Sequence, residues 1–138
     1  MFDKRYKNIL LVFGYVAILY LAYAFLTHGL VALQRSPTFI SLMVGIGIPF
    51  NVANWLVLLI GIVDLLVVVA LFAYRTKWTL AYATLWPLVP AIVGLIGSGY
   101  FNTGYLTYVF AGIVSYSIFI EVEGKDSFFT KKDNKKIK

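Results

Sequence analysis

Cysteine is absent from the 138 residues. That excludes a disulfide framework, thiol redox chemistry and cysteine-ligated metal within the chain. Histidine is almost absent: His28 is the only one. A haem held by two histidines therefore forms only across a dimer. No His/Asp/Glu metal cluster, Ser/His/Asp nucleophile set or glycine-rich phosphate loop is present, so the chain carries no catalytic motif. Charge is scarce as well, at 13% of residues, and gathers at the two ends. The six acidic residues face twelve Lys and Arg, for a net charge of +6. The basic residues flank apolar runs, a placement that suits anionic lipid head groups rather than nucleic acid.

Apolar residues fill the space that charge leaves. They make up 61% of the chain, outside the range of an ordinary soluble domain. Asn51 to Ala73, NVANWLVLLIGIVDLLVVVALFA, organises the rest. A bilayer core needs about 20 apolar residues in a helix, and this run supplies them with a single charged residue inside, Asp64. Three further runs are long enough. Ile9 to Leu33 follows a basic leader holding Lys4, Arg5 and Lys7; it is too long for a signal peptide and lacks a cleavage site. Trp78 to Ser98 contains Pro87 and Pro90, which remove two N–H donors, free the carbonyls of Ala83 and Trp86, and kink the helix. Tyr105 to Ile120 is the fourth. Between the first two runs, Ser36-Pro37 is a helix-start signal for a short apolar helix over 38–48. That helix is too short to span and lies at the interface or re-enters the bundle.

The fold class expected is therefore an all-α integral membrane protein. It is a four-helix transmembrane bundle with a short interfacial or re-entrant helix between the first and second spans. Residues 1–122 form the membrane domain and 123–138 a basic cytoplasmic tail. The leader, the turn holding Arg75 and Lys77, and the tail are all basic, whereas the other connectors hold only Arg35. Four spans put the basic segments on one side, with both termini cytoplasmic. Trp55, Tyr100 and Tyr105 then mark the outer interface.

Asp64 is the chemical question. A charged carboxylate near mid-membrane costs at least about 2.5 kcal/mol, so it faces protein or water, or carries a proton. With about 1.5 Å rise per residue, Asp64 lies about 13 Å from the cytoplasmic helix end. Equal depths on the other spans fall near Ala17, Pro87 and Ala111. Tyr20, Trp86 and Ser115 are then among the nearest hydrogen-bonding groups. His28 and Asn54 lie higher, toward the outer face, and form the top of a polar column ending at Asp64. The plain alternative is that a neutral Asp64 only pins helices together through one hydrogen bond, worth about 0.6 kcal/mol. His28 is then a packed interfacial histidine.

Arg5 before the first span, LTHGL at its close, the connector SPTFISLMVGIGIP, GIVDLL in the second span and the basic turn at Arg75 carry a family likeness. The layout resembles the DoxX-like family of small four-span membrane proteins, over about Arg5 to Glu121. Two departures stand out. Ala32 and Leu33 occupy the region where the family often has a Lys after the His-Gly pair, and Asp64 stands where Glu is common. The resemblance implies a link to quinone-coupled oxidation or membrane redox-defence assemblies. Three functions follow as expectations. The first is an accessory subunit of a quinone-linked membrane redox assembly, with the redox chemistry supplied by a partner and the polar site near Asp64. The second is a small carrier or channel for protons, ions or an apolar molecule, since broken helices line membrane binding sites. The third is a ligand-free scaffold. Each places the chain in the lipid bilayer with a protein partner or a second copy of itself.

Overall fold

The computed structural model describes residues 4–123. The lysine-rich tail expected over 123–138 lies, but for its first residue, outside the described residues. Six helices follow one another: α1 Lys4–Leu33, α2 Pro37–Gly45, α3 Phe50–Ala73, α4 Lys77–Leu85, α5 Leu88–Ser98 and α6 Gly104–Glu123. No strand occurs among the described residues. Four segments are long and apolar enough to cross a membrane: α1, α3, α4 with α5 taken together, and α6 to Val122. Backbone groups in hydrocarbon must find partners within their own segment, and a helix satisfies that requirement.

Local chemistry sets the ends. α2 starts where the Ser36-Pro37 pair predicts, with Pro37 in its first turn. At nine residues it is far shorter than a span, and it packs against α3 and α5. α4 opens on Thr76, whose hydroxyl accepts from the Thr79 N–H at 3.1 Å. α5 closes on Gly99, at φ +70, whose N–H reaches the Leu95 carbonyl at 2.9 Å. Between them the third span is broken rather than gently kinked. The Trp86 N–H bonds the Tyr82 carbonyl at 2.8 Å and closes α4. Pro90 has no N–H to offer the Trp86 carbonyl, so that carbonyl accepts from Val89 at 2.9 Å. The sequence reading left this carbonyl free; a tighter three-residue turn satisfies it.

α1 packs against α3 on one side and α6 on the other, and α4 packs against α6 and, less extensively, α3, closing the bundle. A glycine pair sets the register of α1 against α3. A Cβ on Gly61 would lie 2.8 Å from the Leu33 backbone nitrogen and 2.9 Å from the Gly29 carbonyl oxygen. Only glycine permits that approach. The register differs from that obtained by lining up the ends of the apolar runs. Asp64 sits level with Gly29, not with Ala17. At the other end of the bundle Arg75, just after α3, lies over the rings of Tyr15 and Phe119. α1 therefore runs about three turns beyond the end of α3 and carries Lys4, Arg5 and Lys7 outward.

Ile18, Leu21, Leu71, Leu80 and Phe119 form the main core, each at most 1% exposed. A second cluster under α2 joins Ala32, Ile40, Ala53 and Val57. The outer faces are apolar too. Phe13, Leu66, Ile96 and Phe110 are all more than 60% exposed, which fits a surface wetted by lipid rather than water.

Candidate functional site

Gly29 lets α1 approach α3, and the residue before it thereby meets Asp64. His28 Nδ1 and Asp64 Oδ2 lie 2.8 Å apart. Asp64 is fully buried, at 0% exposure, whereas the His28 side chain keeps 23% of its surface. The imidazole packs on Phe39 of α2, with ring centroids 4.5 Å apart. Asp64 Oδ1 has no hydrogen-bond partner. The pair is thus arranged from the inside outward: the carboxyl is sealed, and the imidazole stands between it and open space.

That space is a cavity of about 290 Å³. Phe25 and Val31 of α1 and Phe39 of α2 supply apolar walls, and Tyr105 and Tyr108 of α6 add aromatic ones. The break in the third span contributes Trp86, Pro87 and Pro90. Both prolines face inward, as their shared stripe with Ala83 and Gly94 predicts; Pro87 is buried and Pro90 half-buried. Trp86 Nε1, like Asp64 Oδ1, is buried without a partner. Thr27 and Asn102 also border the cavity, but each is tied to nearby backbone. The Thr27 hydroxyl donates to the Tyr23 and Ala24 carbonyls, and Asn102 Oδ1 accepts from the Gly104 N–H.

Three of the six residues singled out from sequence, Asp64, His28 and Trp86, meet at this cavity. The other three do not line it. Ser115 is buried but donates to the Gly112 carbonyl of its own helix at 3.0 Å. Tyr20, 42% exposed, bonds Thr107 at 3.0 Å and packs at a tilt against Tyr108 outside the cavity. Asn54 is half-buried on α3, ten residues before Asp64 and about 15 Å along the axis. The polar column therefore shortens to one contact: His28 does not sit above Asp64 with Asn54 but beside it. Tyr105, expected at the outer interface, turns into the cavity. Sequence reasoning did not single out Phe39, and nothing in a short apolar helix marks which of its residues will cover a histidine.

The geometry restricts what the pair can present. Two proton arrangements use the 2.8 Å contact and leave no net charge: imidazolium with carboxylate, and neutral imidazole accepting from a neutral acid. In both, Nε2 carries a hydrogen. A proton placed on Asp64 Oδ1 instead would leave that O–H without an acceptor. Comparison with protein-family models, curated proteins and solved structures returns no match for this chain.

Proposed function

We propose that the protein binds a small apolar molecule with a carbonyl head, of the quinone class, and serves as an accessory subunit of a quinone-linked membrane redox assembly. The observation that carries this reading is an aromatic cavity bordered by His28 and by Trp86, whose Nε1–H is buried without an acceptor and meets a ligand after a small turn of the indole. A buried donor left unpaired costs about 1–3 kcal/mol, so a ligand that supplies the acceptor recovers that cost. An uncharged His28–Asp64 pair adds a second donor at Nε2. Among the described residues, no Lys or Arg lines the cavity. Two such donors in a largely apolar, aromatic cavity suit a carbonyl oxygen, which only accepts. The motif likeness to DoxX-like proteins supports the same reading. Electron transfer belongs to a partner protein, and both chain ends face the cytoplasm.

A second reading has its own support. The helix break at Trp86 and Pro87 opens onto the cavity, and discontinuous helices line the sites of membrane carriers. In that reading the same molecule crosses or leaves the bilayer through the chain.

Trp86 also provides the test. Quinones quench indole fluorescence on contact, and Trp55 and Trp78 are exposed, at 61% and 70%. With both replaced by Phe in nanodiscs, Trp86 is the sole reporter. A short-chain benzoquinone should quench it saturably, and His28→Ala should weaken that binding about tenfold, the value of one lost hydrogen bond. Linear, non-saturating quenching that His28→Ala leaves unchanged overturns the proposal.

A further inference from the structure

Beside the main cavity lies a second, of about 70 Å³, between α2, α3 and α5. The two share His28, Phe39, Trp86, Pro90 and Tyr105 on their walls. The rest of the smaller chamber is Leu42, Met43, Val57, Ile60, Val89 and Val93. These side chains offer no hydrogen-bonding group beyond the weak thioether of Met43. A water needs two to four polar partners to stay in a cavity, and on this part of the wall it finds none. The chamber lies beside His28 and Trp86 and is otherwise apolar.

We propose that the smaller chamber is the seat of a hydrocarbon tail attached to the head group bound at His28 and Trp86. The ligand is then a tailed quinone, with its ring in the main cavity and the first carbons of its tail between α2 and α5. This rests on the head-group reading above and goes beyond it by assigning a second subsite and a tail. The shared wall is the reason for one molecule rather than two. His28 and Trp86 border both spaces, so an atom leaving the donors has the smaller chamber as its neighbour. Pro90 borders both spaces and has no N–H with which to draw the Trp86 carbonyl back into a regular turn. α2 closes the chamber from above with Leu42 and Met43. Its close backbone approach to α5, where a Cβ on Gly97 would lie 2.9 Å from the Leu42 carbonyl oxygen, holds that roof in place.

The test uses two photoreactive benzoquinones on the full chain in nanodiscs, one with a diazirine on the ring and one with it on the third carbon of an alkyl tail. Labelled residues are read by peptide mass spectrometry, with an excess of unlabelled tailed quinone as competitor. The ring probe should label Trp86 or Tyr105, and the tail probe Met43, Leu42 or Val93, both suppressed by the competitor. Val93→Phe, which fills the chamber without touching the main cavity, should weaken binding of the tailed quinone about tenfold. It should leave a head-only benzoquinone unchanged. Competed ring labelling with tail label only on lipid, or on Leu66 and other outward residues, overturns the tail subsite and spares the head-group site. An acyl chain of the bilayer that holds the chamber against the tail gives that same result. Ring labelling that the competitor does not suppress overturns both.

Discussion

At the scale of single residues, one contact outweighs the others. Asp64 has one partner, His28 Nδ1 at 2.8 Å, and a second oxygen with none. Asp64→Asn keeps the shape and can either accept from or donate to Nδ1, so the bundle should hold within about 1 kcal/mol of its original stability. Asp64→Leu leaves the imidazole nitrogen facing hydrocarbon and should cost about 1–3 kcal/mol, read as a lower midpoint in detergent-induced unfolding. Equal midpoints for Asn and Leu would mean that the contact contributes nothing. The burial of Asp64 was legible because it is the one acid inside an otherwise apolar run. Its partner was not, because depth was counted from the ends of the apolar runs, and α1 does not end where α3 does. A better signal was present in the same stretch: Gly29 follows His28, and Gly61 lies one turn before Asp64. Glycines mark where two helices approach most closely, and that crossing point, rather than the membrane boundary, fixes which side chains meet.

At the scale of helices, the Gly29–Gly61 crossing makes a prediction with its own control. A methyl group on Gly61 meets backbone atoms at 2.8 and 2.9 Å, and backbone cannot step aside as a flexible side chain can. Gly61→Ala should cost about 1–3 kcal/mol through overpacking and move His28 away from Asp64. Gly94→Ala, whose new methyl would have only the Tyr100 carbonyl oxygen at 3.4 Å, should be tolerated. Thermal unfolding of the two variants in detergent checks the pair, and equal midpoints would refute the crossing as drawn. The elements themselves read well from sequence. The Ser-Pro start of α2 matches its observed first turn, and the four long apolar runs fall on the four membrane-length segments. The break in the third span was legible as a kink at Pro87 and Pro90, but its form was not. Whether a freed carbonyl stays open or shifts to a tighter bond depends on φ and ψ at one residue, which neighbouring helices decide.

At the scale of the whole molecule, the even number of membrane-length segments and the position of the basic residues predict the arrangement across the bilayer. A reporter active only outside the cytoplasm, fused after Lys138, should give no signal; a strong signal would require an odd number of crossings and would overturn the four-span topology. The overhang of α1 has a mechanical consequence. From Ile9 to Leu33 the helix is about 37 Å of apolar rod, against a hydrocarbon layer of about 30 Å. An upright rod of that length does not fit, and tilting is the usual accommodation. The glycine crossing sits near one end of this rod, α6 packs along its middle as far as Gly14, and the turns before Gly14 overhang α3. A thinner bilayer presses on that overhang, and a tilt of α1 about the crossing would shift His28 against Asp64. Acyl-chain length is therefore the variable to scan when ligand affinity is measured, because membrane thickness is geared through α1 to the spacing between an imidazole and a carboxyl group.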